Sequence, residues 1–440
     1  MARRRSRNAL DLWMNGARVG IWDQRDDVQT LTYDTSWTRS PQGRPLSLSL
    51  PLLPDGESHR GPTVAAYFEN LLPDSTLIRG RIRERVRARS SSAFDLLAEI
   101  GRDCAGAVQI LPQDDEPPTV RAIDAEPLDE HGVAQLLRGV STVAAVGLRP
   151  DAGFRISLAG AQEKTALLWH DESWCLPRGA TPTTHLFKLP LGLVGHLRAD
   201  FSSSVENEWL CSEIVRGFGL KVAKTQVLTF EDQKALVVER FDRAIAPAGD
   251  WWLRLPQEDM CQASGLPPDK KYENDGGPGV PALMELLANS ETPELDRRDF
   301  FRAQLVFWLL AAIDGHAKNF SLFIGPRGAF TMTPLYDIMS AYPAMGRGPN
   351  QLDPKQARLA MAVVSKNKHY LLSEIQPRHW REMGKRCGID AEALVAETVD
   401  QVPAVLAAAA KALPSGFPAF VSDRIFAGLQ RAADRIVRGG

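Results

Sequence analysis

"LVFWLLAAIDGHAKNF", residues 305–320, runs nine apolar positions and then sets a carboxylate, a histidine, a lysine and an amide within six. The apolar run predicts a buried helix that stops near Ile313. A helix end requires caps for its last carbonyls. It does not require four polar groups of different chemistry. The stretch is therefore either a capped terminus with a solvated turn, or a helix that delivers a reactive group.

Asp314 and Asn319 stand five apart, the D-x-x-x-x-N spacing of a phosphoryl-transfer loop. Such a loop needs a carboxylate to take the proton of an attacking hydroxyl and an amide oxygen to help hold Mg²⁺. The spacing alone arises by chance roughly once in a chain of this length. Four further features fall in line with it. Asp337 in "TPLYDIM" follows Asn319 by eighteen positions across the strand-like "GAFTM", so a returning strand would bring it beside Asn319 to share a metal. Lys188 in "THLFKLP" sits within an apolar strand, where an unpaired ammonium is costly. It reads either as a snorkelling edge lysine or as a phosphate-binding lysine. Glu206 and Glu208 in "VENEW" are both available as its partner, with Glu208 preferred. "AGAQEK", Ala159 to Lys164, has the small residues that allow backbone to approach phosphates, though it also reads as a hairpin loop. "ALVVERFD" ends an apolar strand in Glu239, Arg240 and Phe241 and reads as a hinge able to contact an adenine edge, or as a salt-bridged turn.

Bulk properties limit the alternatives. With 44% hydrophobic and 24% charged residues the 440-residue chain is globular, and its length allows two or three cores. A formal net charge of −2 provides no global field for nucleic acid or anionic membrane, so any such binding needs a local patch. Five cysteines with no C-x-x-C pair argue against a disulfide framework or zinc knuckle and for a reducing compartment. The basic "MARRRSRNAL" leads into no apolar core, so no signal peptide is expected. Neither residues 305–313 nor "VPAVLAAAAKAL" is long enough on this reading to span a membrane, and a cytoplasmic protein is expected.

Pattern along the chain predicts three parts. Residues 1–150 read as mixed α and β: Asn15-Gly16 marks a hairpin, "RPLSLSLPL" alternates like a strand, and "SSAFDLLAEIGRDCAGAVQIL" reads as helix, turn and strand. The Pro- and acid-rich stretch from Pro112 provides the boundary. Residues 151–245 are strand-rich, interrupted by one helix over "SSVENEWLCSEIVRGFGL" that stops at Gly219. Residues 246–440 open on a long polar segment and are otherwise helical in pattern, giving an α+β, two-lobed expectation with an all-helical C-terminal lobe.

The stretches "ISLAGAQEKTALL", "PTTHLFKLP", "VVERFDR", "RLPQEDMCQASGLP", "DGHAKNFS" and "LYDIMSAYP" resemble the HipA family of bacterial serine/threonine kinase toxins. "FENLLPDS" and "FDLLAEIGRDCAGAVQILP" resemble the family's N-terminal region, so the resemblance spans nearly the whole chain. It implies a protein-kinase-like fold with an added N-terminal subdomain. It implies Asp314 as catalytic base, Asn319 and Asp337 as Mg²⁺ ligands, and Lys188 as phosphate lysine. His316, Ala317, Lys318 and Asn319 would form the ATP-contacting loop. Ala159, Gly160, Ala161, Gln162, Glu163 and Lys164 would form the phosphate loop, and Glu239, Arg240 and Phe241 the adenine hinge. Ser157 would be the autophosphorylation site. The implied partners are a small HipB-type helix-turn-helix antitoxin, operator DNA through the complex, and, as substrate, glutamyl-tRNA synthetase, with growth arrest and persistence as outcome. Lys366 and Lys368 in "SKNKHY" are candidates for DNA-phosphate contact, weighed against a solvated basic turn. "YDI" in place of D-F-G, and "DGHAKN" without a preceding H-R, depart from ordinary kinases but follow the HipA pattern. Two rivals stand beside this reading: a catalytically idle corepressor, and a metal-dependent hydrolase using Asp314 and Asp337. The first leaves Asp314, Asn319, Asp337 and Lys188 without purpose, and the second has no place for Lys188 or the hinge.

Overall fold

The Asn15-Gly16 pair does fold as a hairpin. Both residues take the left-handed conformation (φ 48° and 84°) that a tight two-residue turn requires, joining strands Ala9–Met14 and Ala17–Arg25. The computed structural model describes residues 8–26, 28–113, 115–140, 162, 164–195 and 198–439. The first unit is a five-stranded antiparallel sheet in the order His59–Arg60, Val28–Tyr33, Ala17–Arg25, Ala9–Met14, Val108–Pro112. Helices Pro62–Glu69, Thr76–Val86 and Ala93–Ile100 complete its core. Alternate residues Leu10, Leu12 and Met14 point inward, and Trp22 stacks on Phe68 with ring centroids 3.6 Å apart. The expected strand over "RPLSLSLPL" does not form. Its serines turn toward residues 258–262 instead: the Ser47 and Ser49 hydroxyls both donate to the Gln262 carbonyl (3.1 and 2.7 Å), and the Leu48 N–H donates to Glu258 (2.8 Å).

The second unit is a six-stranded sheet in the order Thr225–Phe230, Gln233–Glu239, His185–Lys188, Lys164–His170, Ser173–Pro177, Ala125–Leu128. Successive residues of Gln233–Glu239 serve opposite faces. Leu236 and Val238 pack with helix Ser204–Gly217, whereas Ala235 and Val237 pack with helix Glu130–Val140. The boundary expected at residue 150 is therefore too late: strand Ala125–Leu128 and helix Glu130–Val140 already belong to this sheet. The strand escaped the sequence reading because it is a solvent-facing edge with no buried residue, held by backbone pairing to Ser173–Pro177.

The third unit carries helices Val280–Leu287, Pro293–Leu310, Pro377–Cys387, Ala391–Ala412 and Ala419–Arg438. It is not all-helical. Gln257–Asp259, Ser321–Ile324 and Phe330–Met332 form a small sheet, and Arg358–Val364 pairs with Lys368–Leu371. "LAMAVV" is buried on both faces, so it lacks the alternation that marks a strand and reads as easily as a helix. Helix Ala391–Ala412 is, contrary to expectation, long and apolar enough by length and composition to cross a membrane. It packs on the four helices Ser204–Gly217, Pro293–Leu310, Pro377–Cys387 and Ala419–Arg438.

A buried ionic cluster joins all three units. Asp103 of the first unit lies 2.9 Å from Arg243, 3.3 Å from Arg254 and 3.4 Å from Arg240, and accepts the N–H and hydroxyl of Thr183 (3.1 and 2.6 Å). Asp242 pairs with Arg240 (2.8 Å) and accepts the Gly106 N–H (2.7 Å). Burial would raise the Asp103 carboxyl, but the three guanidinium groups outweigh it and hold it well below the carboxylate range.

Candidate active site

Helix Pro293–Leu310 ends because Ala311 turns left-handed (φ 49°), with the N–H groups of Ala311 and Ala312 returning to Trp308 and Phe307 (3.1 and 2.8 Å). Gly315 follows where the chain passes the Phe307 ring; a Cβ there would lie 2.5 Å from Phe307 Cδ2. The loop then closes on itself through Asn319, whose Nδ2 donates to the Asp314 carbonyl (3.2 Å) and the Asp337 carbonyl (3.3 Å). The small sheet performs the expected return. Strand Ser321–Ile324 runs out from the loop, Phe330–Met332 runs back, and Asp337 arrives beside Asn319. Asp337 holds φ 61°, an uncommon backbone state for a residue with a side chain and one that clusters at functional sites.

Asp314 is not a cap. Its side chain is 56% exposed, and its Oδ1 accepts the Tyr272 hydroxyl at 2.5 Å. His316 Nε2 lies 4.0 Å from the other carboxylate oxygen, while His316 Nδ1 is buried with no partner among the described residues. Burial, opposed by Asp314, pushes the His316 imidazole below its ordinary range, which favours the neutral ring at neutral pH.

Lys188 is paired, not snorkelling. Its ammonium donates to Glu208 Oε1 at 2.6 Å and to Asp337 Oδ1 at 2.9 Å, so one cation ties the strand, the helix and the Asp337 turn together. Glu206 points elsewhere and pairs with Lys234 (2.6 Å), which settles the choice between the two glutamates. Burial opposes charge on Lys188, but Asp337 and Glu208 outweigh it and raise its pKa. Directly across the ladder from Lys188 stands Lys164. Burial first, and the Lys188 charge second, push Lys164 down to about 8. It has no hydrogen-bonded partner among the described residues.

The donor set fits a small hard cation. Asn319 spends its amide nitrogen on two carbonyls, leaving its Oδ1 available, and Asp337 Oδ1 is bound to Lys188 while Oδ2 makes no described hydrogen bond. No group of three or more His, Cys, Asp or Glu side chains suited to a metal occurs among the described residues. Two protein oxygens, completed by phosphate oxygens and water, are what Mg²⁺ ordinarily accepts.

Other sequence expectations fare differently. The Lys318 ammonium faces the first unit, donating to the Asn70 carbonyl (3.2 Å) and Oδ1 (2.8 Å), with Asp74 and Asp259 each at 3.6 Å. The Ala317 N–H is taken by the Lys271 carbonyl (3.2 Å). Neither is therefore free for nucleotide through these groups. Arg240 lies in the ionic cluster and Glu239 pairs with Lys224 (3.1 Å), so any hinge contact there is a backbone one. The Glu239 and Arg240 N–H groups are already bonded to the Lys224 and Thr184 carbonyls (2.9 and 2.8 Å). The Phe241 ring packs by Tyr336 and Phe323. Gln162 Nε2 donates to the Leu189 carbonyl (2.5 Å). Ser157, Ala159, Gly160, Ala161 and Glu163 lie outside the described residues. Lys366 is exposed at the hairpin turn, but Lys368 serves the buried Glu273 carboxylate at 2.8 Å. Sequence reasoning missed Tyr272 and Asp74 as neighbours of the loop. Tyr272 lies in a stretch that reads only as polar turns, and Asp74 lies more than two hundred residues away, so no spacing rule connects them.

Residues 10–111 match the HipA N-terminal domain and residues 156–409 the HipA-like C-terminal domain. The chain is 33% identical over 388 residues to Y4mE of Sinorhizobium fredii, named as a candidate kinase, covering 86% of each chain. It is 28% identical over 367 residues to the serine/threonine-protein kinase toxin HipA of Shewanella oneidensis, covering 80% of this chain and 78% of that one. The structure superposes, with a TM-score of 0.77 at 23% identity, on a chain of the Shewanella oneidensis MR-1 complex of HipA, HipB and operator DNA, covering 98% and 97% of the two chains. That likeness is one of fold.

Proposed function

The chain belongs to the HipA family of kinases, and from that premise we propose that it is a cytoplasmic, ATP- and Mg²⁺-dependent serine/threonine protein kinase acting as the toxin of a toxin–antitoxin pair. The observation that carries the catalytic reading is Lys188, bound at once to Glu208 and to Asp337, whose carbonyl, with that of Asp314, accepts the Asn319 amide. An idle corepressor would have no use for a buried Lys188–Glu208 pair joined to a partly exposed Asp337, since burying charges is unfavourable unless they are fully paired.

In the proposed reaction ATP is substrate. Lys188 and Lys164 offset charge on its phosphates. Bound Mg²⁺, held by Asp337 and the Asn319 amide oxygen, would neutralise charge between the phosphates. The adenine edge would meet hinge backbone next to Phe241, whose N–H has no acceptor among the described residues. The serine hydroxyl forms a bond to the γ-phosphorus as the bond from that phosphorus to the β,γ-bridging oxygen breaks. ADP departs, and the hydroxyl proton passes to the Asp314 oxygen that Tyr272 leaves free. Ser157 would be an autophosphorylation site, where an added charge of about −1.5 to −2 would repel the ATP phosphates.

We further propose a HipB-type antitoxin and operator DNA as partners, supported by the family and by the Shewanella complex. Lys366 would contribute a phosphate contact. Glutamyl-tRNA synthetase is the first substrate to test. The purified protein, incubated with γ-labelled ATP, Mg²⁺ and a cell lysate, should label a discrete protein on serine, and Asp314→Asn protein should not. Equal labelling by both would overturn the assignment of Asp314, and labelling by neither would overturn the kinase reading.

A further inference from the structure

Asp314 projects from a loop whose other side chains are turned away or buried, yet its carboxylate is not free to rotate. The Tyr272 hydroxyl donates to Oδ1 at 2.5 Å, and the Tyr272 ring stands edge-on to His316 with centroids 5.0 Å apart. The segment carrying Tyr272 is fixed to the loop a second time by backbone, through the Ala317 N–H and the Lys271 carbonyl (3.2 Å). It is anchored a third time from the first unit. Asp74, in the turn between helices Pro62–Glu69 and Thr76–Val86, pairs with Lys271 at 2.7 Å and lies 3.6 Å from Lys318. Lys271 in turn lies over the Tyr272 ring, 5.4 Å from its centroid.

We propose that Tyr272 is a positioning residue for Asp314, and that the N-terminal unit holds it in place through Asp74 and Lys271. The proposal rests on the reading of Asp314 as catalytic base and adds to it. A carboxylate that is to accept a proton must present one oxygen along the path of the incoming hydroxyl. One hydroxyl donor on Oδ1 selects the rotamer and leaves Oδ2 for the substrate. An isolated pair of lobes would lack this support, because Asp74, which pairs with Lys271 beside Tyr272, and Asn70, which holds Lys318 of the loop, both come from the first unit. The N-terminal unit is thereby part of the catalytic apparatus and not only a platform for partners.

Tyr272→Phe removes the hydroxyl and keeps the ring against His316 and Lys271. Phosphoryl transfer is read in the full-length protein as single-turnover labelling of its own chain by γ-labelled ATP and as ADP release with water as acceptor. The expected result is a fall of about ten-fold to a hundred-fold in the rate at saturating ATP, from loss of a hydrogen bond to a charged group and the resulting misplacement. The ATP Kd and the Tm should stay within error of wild type, a split that a merely structural role would not produce. Asp74→Asn should fall in the same direction by less, again with the ATP Kd preserved. A wild-type or raised rate in Tyr272→Phe, with Asp314→Asn inactive, would overturn the positioning role while leaving the kinase reading intact. Asp314→Asn as active as wild type would instead overturn the reading of Asp314 and this proposal with it.

Discussion

ATP binding should draw a proton onto the protein near pH 8, and Lys164 should be the group that takes it. Lys164 faces Lys188 across the strand ladder, and burial together with that neighbouring charge pushes it down to about 8 from an ordinary 10.5. Lys188 itself is raised by Asp337 and Glu208 and stays charged throughout. At pH 8 about half of the Lys164 side chains are neutral, at pH 7 about a tenth, and at pH 9 about nine tenths. A triphosphate placed between the two lysines supplies the missing counter-charge and returns Lys164 to the protonated state. Uptake should therefore be about 0.1 proton per ATP at pH 7, about 0.5 at pH 8 and about 0.9 at pH 9. If only the charged form binds well, the apparent Kd should weaken about two-fold at pH 8 and about ten-fold at pH 9. The assay is calorimetry with Mg²⁺-saturated ATP in two buffers of different ionisation enthalpy at each pH, in the Asp314→Asn background so that no turnover occurs. Lys164→Met should abolish the buffer dependence. Buffer-independent heats at pH 8, or equal uptake with and without Lys164, would refute the reasoning. The linked effect on stability has a defined sign. Between about 8 and 10.5 the unfolded chain holds the Lys164 proton and the folded chain does not, so this group makes the nucleotide-free protein more stable as pH rises through that window.

Three other outcomes follow from the geometry. Glu208→Gln should weaken ATP-dependent transfer strongly and lower stability, since it leaves a buried ammonium with one partner in place of two, whereas Glu206→Gln, which loses a half-exposed pair with Lys234, should change transfer by less than about two-fold; both are read by steady-state rates and Tm. Asp103→Asn should cost about 3–5 kcal/mol in a urea titration, because three buried guanidinium groups lose their shared counter-ion, and limited proteolysis should show the first unit released from the hinge. Lys366→Ala in the complex with antitoxin should reduce the salt slope of operator binding by up to about one unit, while Lys368→Ala should show mainly a loss of stability, read by Tm, because its partner Glu273 is buried.

What the sequence by itself determined is the residue types at the candidate site and the order of its parts. The apolar run into "DGHAKNF", the lone lysine in "THLFKLP" and the Asp in "YDI" are local signals, since burial and backbone reversal constrain residue type over a few positions. The return of Asp337 to Asn319 was legible because a short strand, a turn and a second strand can lead to little else. The hairpin at Asn15-Gly16 was legible because only a few residues tolerate its backbone. The tertiary structure decided what depends on contacts between distant residues. It chose Glu208 over Glu206, although both occupy the same helical turn, because only Glu208 faces the strand bearing Lys188. It turned Lys318 toward Asn70, a partner 248 positions earlier, which no local pattern could indicate. It moved strand Ala125–Leu128 into the second sheet, because an edge strand is held by backbone hydrogen bonds and carries little side-chain signature. It brought Tyr272 to Asp314, and Asp74 to Lys271 and Lys318, for the same reason: electrostatic and hydrogen-bond partners are selected by distance in space, which a single sequence records only where the chain itself is short between them.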